Sequence, residues 1–271
     1  MAEIQPSDVA FISQFLLARS GLVVNAEKSY LLESRLGPLA RKQGIAGISA
    51  LIARLRGGDR ALEQMVVEAM TTNESFFFRD TRPFDHFRDK TLPALLAARS
   101  ATRRLRIWCA AASTGQEPYS LAIILKECEA QWRGWQIEII ATDISREVLE
   151  RARAGRYSQF EVQRGLPIQL LLKYFKKSDD LWQIDPALRA MVQYKEWNLL
   201  QDPRPLGGFD VVFCRNVLIY FDPPTKEKVL DGVVRQMPRD GYLYLGGSET
   251  VIGMQARLAA SPEQRGVYRP A

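Results

Sequence analysis

Apolar side chains recur at helical spacing through the first 70 residues and gather into short unbroken runs after residue 104. In the first region Val9, Phe11, Ile12, Phe15 and Leu16 stripe a helix from Asp8 to Arg19, which Gly21 ends. Leu31, Leu32, Leu36 and Leu39 stripe a second helix from Lys28 to Gln43, with Pro38 as a point where it can kink or split. Ile48 to Leu55 and Ala61 to Met70 make two more, separated by Gly57-Gly58. No strand pattern intervenes, so this region predicts a small helical bundle.

The second region alternates. Leu105 to Ala110, Ile137 to Thr142, Phe209 to Cys214 and Tyr242 to Gly246 read as strands. Their near-continuous apolar character is that of parallel strands covered on both faces. Pro118 to Ala130, Glu147 to Ala154 and Thr225 to Met237 read as the helices between them, and the alternation predicts a doubly wound α/β sheet. Residues 155 to 197 interrupt it. A helix from Ile168 to Phe175 is followed by strand-like pieces at 181–184 and 192–197, with Asp179-Asp180 as turn material. This stretch is expected to be a small antiparallel insert on the main sheet.

Composition narrows the class. With 271 residues, 46% of them apolar and 25% charged, the chain suits a soluble protein of one large domain or two smaller ones. No apolar run approaches the roughly 20 residues that span a bilayer, and MAEIQPSDVA lacks the basic and apolar regions of a signal peptide. Three scattered cysteines form neither a metal pattern nor a disulfide framework, which points to the cytoplasm. Cys109 and Cys214 fall inside strands and read as small core residues. A single histidine, His86, argues against a histidine triad or a multi-histidine metal site and is expected on a surface or helix. The net charge of +6 and pI near 9.3 suit an acidic partner.

The chemistry concentrates in CAAASTGQEPYSLA, residues 109–122. Small residues at the end of a strand let a ligand approach the main chain, and the following helix offers free N–H groups. The loop lacks the glycine spacing of a pyrophosphate site, and a tight strand-to-helix turn with Pro118 in the first helical turn is its plain alternative. The next strand ends in Asp143, where a carboxylate can accept two ribose hydroxyls; capping the following helix is the alternative role, which Ser145 can also fill. Loop and acid together suggest a nucleoside ligand without a pyrophosphate, a description that S-adenosylmethionine fits.

TTNESFFFRD (71–80), WCAAASTGQEPYSLA (108–122), ATDIS (141–145), WNLL (197–200) and FDVVFCRNVLIYFD (209–222) occur in this order. Together they resemble the bacterial chemoreceptor glutamate methyltransferase family, commonly called CheR, over nearly the whole chain. Gln116 stands where that family often has a second acid. The resemblance implies a class I, Rossmann-like S-adenosylmethionine methyltransferase sheet with an N-terminal all-α domain and a small antiparallel β insert. It divides the chain into a receptor-recognition domain (1–70), a linker contributing to the cofactor site (71–90) and a catalytic domain (91–271) with the insert at about 155–197. The implied reaction gives glutamate methyl esters and S-adenosylhomocysteine, and the implied partners are the cytoplasmic methylation helices of chemoreceptors. No metal, nucleic acid or membrane insertion is implied.

Roles follow from the resemblance residue by residue. Asn73, Ser75 and Arg79 contact the methionine end of the cofactor, and Arg79 can hold either the cofactor's carboxylate or the substrate's. Ala111 lies in the cofactor loop, Glu117 pairs with the cofactor's ammonium group, and Asp143 takes the ribose. Asn198 and Leu199 frame the adenine, while Arg215 and Asn216 complete the floor. Tyr220 lies near the reacting methyl, so Arg79 and Tyr220 are the candidate catalytic residues. Phe76, Phe77 and Phe78 are expected to pack between linker and catalytic domain. Lys28, Arg35, Arg41 and Lys42 make a basic helix for docking acidic receptor helices, against Glu33 alone; a solvated face is the plain alternative. Two other classes are alternatives. An RNA methyltransferase would suit the basic pI, but CRNVLIYF is not the Asn-Pro-Pro-aromatic signature of enzymes that methylate base nitrogens, and no basic-aromatic module is evident. A non-catalytic binding module is opposed by Arg79, Asp143 and Tyr220. Lys176 to Asp180 is short and free of glycine, unlike the longer loop of family members that bind a receptor tail peptide, so a tail-independent enzyme is expected.

Overall fold

The structure is a computed structural model that describes residues 4–25, 29–251 and 257–271. It divides into two units: the described residues up to Thr72 together with Tyr220–Thr225, and Asn73–Ile219 together with Lys226–Ala271.

The first unit is helical: α1 (Pro6–Ser20), α2 (Ser29–Lys42), α3 (Ile48–Arg56) and α4 (Arg60–Met70). Pro6 starts α1, and Gly21 ends it in the left-handed conformation. Asp59 caps α4 by accepting from the Leu62 N–H at 3.1 Å. Helix α2 runs unbroken through Pro38. The apolar stripe holds as expected: Ile12, Leu16, Leu32, Leu36, Leu51, Ile52, Leu62 and Val66 are buried, and α2 packs on α3 and α4.

The second unit opens with α5 (Arg82–His86), which passes through a π-helical turn at Phe87–Thr91 into α6 (Leu92–Ala98). Strand β1 (Arg104–Ala110) and α7 (Gln116–Glu127) follow, then β2 (Gln136–Asp143) and α8 (Arg146–Ala154). The insert comprises β3 (Arg156–Ser158), α9 (Gln159–Gln163), α10 (Ile168–Tyr174), β4 (Phe175–Ser178) and β5 (Leu181–Ile184). The chain returns through α11 (Pro186–Ala190) to β6 (Val192–Glu196), β7 (Val211–Cys214), α12 (Pro223–Val234) and β8 (Tyr242–Leu245). It ends with β9 (Leu258–Ala260) and β10 (Val267–Pro270).

The main sheet has the order β6-β2-β1-β7-β8-β10-β9, parallel from β6 to β8 and antiparallel at β10 and β9. Inside one face, Ile107, Cys109, Ile139, Ala141, Val211 and Phe213 join a core with Leu121, Ile124 and Leu125 of α7 and with Phe84, Phe87 and Leu95. The alternate residues Trp108, Ile140, Val212 and Leu243 are buried as well, so both faces are covered as a Rossmann-like sheet requires.

The insert differs from expectation in one respect. Residues 192–196 do not belong to it: β6 pairs in parallel with β2, Ile139 opposite Val192 and Asp143 opposite Glu196. The antiparallel sheet is instead β3-β5-β4. Its β4–β5 hairpin turns on Asp179-Asp180, with Ser178 opposite Leu181 and Asp179 at φ 55°. The Ile184 N–H closes the excursion on the Gly155 carbonyl at 3.0 Å. Phe77 is fully buried against the rings of Tyr157 and Phe175, so the linker aromatic packs on the insert.

Candidate functional site

Order in the main sheet reverses between β1 and β7: the chain builds outward from β1 to β2 and β6, then crosses to β7 and β8. Ligands of open α/β sheets lie at such a switch point, beyond the carboxyl ends of the strands. The loop after β1 is built for close approach. Ala111, Ser113 and Gly115 take φ of 60°, 52° and 94°, an alternation that folds the loop tightly: the Ala112 N–H meets the Thr142 carbonyl and the Gly115 N–H the Ala112 carbonyl. A Cβ on Gly115 would sit 2.7 Å from the Tyr194 hydroxyl and 2.9 Å from Ala152, so only glycine fits there. The Tyr157 hydroxyl, from the insert, donates to the Thr114 carbonyl at 2.8 Å.

Asp143 ends β2 and is buried. Its carboxylate accepts from the Ser113 N–H at 2.8 Å and from the Ser145 N–H at 3.0 Å, tying the strand tip to the β1 loop. Ser145, not Asp143, caps α8. The linker reaches the same loop, because the Ser113 hydroxyl donates to the Asn73 carbonyl at 2.8 Å. Ser75 is half-buried nearby in sequence. Beyond β6, the Trp197 N–H donates to the Asp143 carbonyl, and Asn198 accepts from the Leu200 N–H in a tight turn that also sets Leu199.

After β7 stands Arg215, whose side chain is only 1% exposed. Its guanidinium pairs with Glu117 at 3.1 Å and Asp80 at 2.6 Å, and donates to the Arg79 carbonyl at 2.8 Å. Burial pushes the Glu117 carboxyl above its ordinary range, while the facing Arg215 charge pulls it back. Arg79 itself turns toward its own linker: Nη1 donates to the Glu74 carbonyl at 2.9 Å, and the guanidinium lies over the Phe76 ring. Burial holds the Cys109 and Cys214 thiols well above their usual range, as befits inert core residues.

Sequence reasoning passed over Glu249 and Asp80. Glu249 is buried, and its carboxylate faces Asn216, which takes φ 58°. The signal was there in LGGSE: small residues and an acid after a strand, as in the β1 loop. The basic helix divides. Arg35 is half-buried and caps α4, its guanidinium donating to the Met70 and Thr71 carbonyls and the Thr72 hydroxyl; its donors face the bundle, not a partner. Arg41 and Lys42 are exposed, and Lys28 lies outside the described residues. Tyr220 groups with the helical unit, where its carbonyl accepts from the Val23 N–H at 3.0 Å. His86 is half-buried in α5 and bonded to the Tyr244 hydroxyl at 2.9 Å.

Among the described residues three side-chain polar atoms are buried without a hydrogen-bond partner: Tyr194 OH, Trp197 Nε1 and Arg215 Nε. An unmet buried donor costs about 1–3 kcal/mol. Trp197 follows β6 and Arg215 follows β7, so these donors stand beyond strand ends beside Asp143 and Glu117. A ligand with a carboxylate and ring-nitrogen acceptors satisfies such donors, and S-adenosylmethionine carries both. No group of His, Cys, Asp and Glu among the described residues is arranged to hold a metal ion, and no helix among them is long and apolar enough to cross a membrane.

Comparison with known proteins shows the family. Residues 73–267 match the family model described as CheR methyltransferase, SAM binding domain, and residues 7–71 match CheR methyltransferase, all-alpha domain. Chemotaxis protein methyltransferase 1 of Pseudomonas aeruginosa is 41% identical over 249 residues, covering 90% of each chain. Chemotaxis protein methyltransferase Cher2 of Pseudomonas putida is 39% identical over 245 residues, 89% of each. The chemotaxis protein methyltransferase of Vibrio parahaemolyticus is 40% identical over 246 residues, 89% of this chain and 88% of its own.

Proposed function

The chain belongs to the CheR methyltransferase family, and on that premise we propose that it methylates glutamate side chains of chemoreceptors in the cytoplasm. The products are glutamate methyl esters and S-adenosylhomocysteine. The observation that carries the reading is the joining of Asp143, the β1 loop and the Arg215–Glu117 pair at the carboxyl ends of adjacent strands.

When bound, S-adenosylmethionine supplies an electrophilic sulfonium methyl group. The acceptor glutamate has an ordinary pKa near 4.3, is ionised at neutral pH and needs no general base. A chain whose one histidine is engaged by Tyr244 suits that chemistry. What the residues supply is position and exclusion of water. Asp143 receives the ribose hydroxyls, and Asn198 and Leu199 flank the base. Arg215, through Nε, and Asn216 close the floor, with Asn73, Ser75 and Ala111 along the methionine arm. Glu117, held by Arg215, faces the ammonium group. Arg79 and Tyr220 keep the roles that the family resemblance gives them, Arg79 binding a carboxylate and Tyr220 orienting the methyl. Arg41 and Lys42 steer acidic receptor helices.

The two-residue β4–β5 turn, without glycine, supports an enzyme that works independently of a receptor tail peptide. Incubation with labelled S-adenosylmethionine and receptor-containing membranes, followed by mapping of base-labile esters, tests the reaction. Label on glutamates is expected; label transferred to RNA instead would overturn it. Receptors lacking the tail should be methylated equally, and micromolar calorimetric binding of the isolated peptide would refute tail independence.

A further inference from the structure

One buried carboxylate has no part in the scheme above. Glu249 follows β8, and four backbone N–H groups converge on it. Oε1 accepts from Val217 at 2.9 Å and Leu218 at 2.7 Å; Oε2 accepts from Asn216 at 2.8 Å and Gly246 at 2.6 Å. A carboxylate offers about four acceptor sites, so these donors use its capacity. The side chain thus bridges the turns that leave two adjacent parallel strands, whose last residues Cys214 and Leu245 stand opposite each other.

The bridge holds a left-handed turn. Asn216 sits at φ 58°, a conformation that asparagine adopts more readily than other non-glycine residues, and the clamp secures it. The packing around the clamp is close: a Cβ on Gly246 would lie 2.7 Å from Asn216 Nδ2, 2.8 Å from Glu249 Oε2 and 3.0 Å from the Asn216 nitrogen. No alternative anion is needed to explain the converging N–H groups, because the chain fills them itself.

We propose that Glu249 is a positioning residue for cofactor binding: by collecting the N–H groups of Asn216, Val217 and Leu218 it fixes the turn that aims Arg215 and Asn216 into the pocket. The inference rests on reading those two residues as cofactor-binding. Glutamine at 249 keeps the shape but replaces one acceptor oxygen with a donor that opposes N–H groups, so the clamp on the turn is released.

Calorimetry of S-adenosylhomocysteine binding to Glu249→Gln, set beside its melting midpoint without ligand, tests this. At a temperature where the variant is folded, its Kd should rise at least 10-fold, and the KM for S-adenosylmethionine should rise with it while the KM for receptor does not. A merely stabilising side chain would lower the folded fraction and leave the affinity of that fraction unchanged; affinity within twofold of wild type overturns the proposal. Should the variant not fold, amide hydrogen exchange in the wild-type protein decides: protected amides at 216–218 support the clamp, and exchange as fast as in an unstructured peptide refutes it. Failure of the wild-type protein to bind S-adenosylhomocysteine would instead reject the pocket itself, and the exchange measurement would still report on the clamp.

Discussion

Arg215 Nη1 lies 3.1 Å from Glu117 Oε2, joining the turn after β7 to the first turn of α7 across the switch point of the sheet. The same guanidinium holds Asp80 and the Arg79 carbonyl, so it gathers the linker as well. Glu117 left alone would be a buried charge without a partner. Removing one member of a buried pair costs about 3–5 kcal/mol. Arg215→Ala should lose about that much in chemical denaturation, and Arg215→Lys, which keeps the charge without the fork, should lose less. Equal stability of Arg215→Ala and wild type would show that the pair holds nothing.

Asp143→Ala removes the acceptor for the Ser113 and Ser145 N–H groups and, on the proposed reading, for the ribose. Hydrogen bonds to a charged group that go unpaired cost about 1–3 kcal/mol, or about 5- to 150-fold in affinity. Calorimetry with S-adenosylhomocysteine should show a weakening in that range. Unchanged binding would put the ribose elsewhere.

His86 sets a pH dependence. Burial holds its imidazole below the ordinary value near 6.5. The unfolded chain then takes up the proton first, so unfolding binds protons in the window below about pH 6.5. Stability contributed by the neutral ring is therefore complete above that window and is lost as the pH falls through it. Denaturation midpoints of wild type and His86→Gln, compared from pH 7.5 down, should converge on acidification, His86 being the one histidine in the chain. Parallel curves would mean the ring carries no such linkage.

The basic residues of α2 should separate by experiment. Arg35→Ala uncaps the last carbonyls of α4 and should lower stability by about 1 kcal/mol, the usual net worth of such bonds. Charge reversal at exposed Arg41 and Lys42 should leave stability nearly unchanged and raise the KM for receptor, most at low salt, since steering is screened. A KM insensitive to these reversals, with receptor methylation intact, would move docking to another surface.

Elements with strong periodicity were legible in the sequence. The four helices of the bundle and the strands β1, β2, β7 and β8 follow from apolar runs that packing then satisfies. Strand β6 was assigned to the wrong sheet, because an edge strand with alternating exposure looks the same whether it pairs in parallel or antiparallel. Strands β3 and β4 span three and four residues, too few for a period to register. Pro38 does not break α2, since a proline removes one N–H donor and neighbouring turns carry the rest. The pocket's small loop and Asp143 were visible because each needs a particular residue type at a strand end. The capping role of Arg35 was not, since its partners lie 35 and 36 residues away along the chain, and LGGSE showed the acid at Glu249 but not the amides about 32 residues away that it collects.

The insert runs from Arg156 to Ile184, its ends joined by the β3–β5 pairing and by the Ile184 N–H on the Gly155 carbonyl. Tyr157 and Phe175 anchor it to the β1 loop and to Phe77, so the part free to change length is the exposed hairpin turn at Asp179-Asp180, where each doubling of a flexible loop costs only about 0.6 kcal/mol. Codons gained or lost at that turn leave Tyr157, and with it the β1 loop, in place. That turn is therefore the part of the insert most open to evolutionary trial, where a lineage can vary an outer edge while the residues at the strand ends are inherited intact.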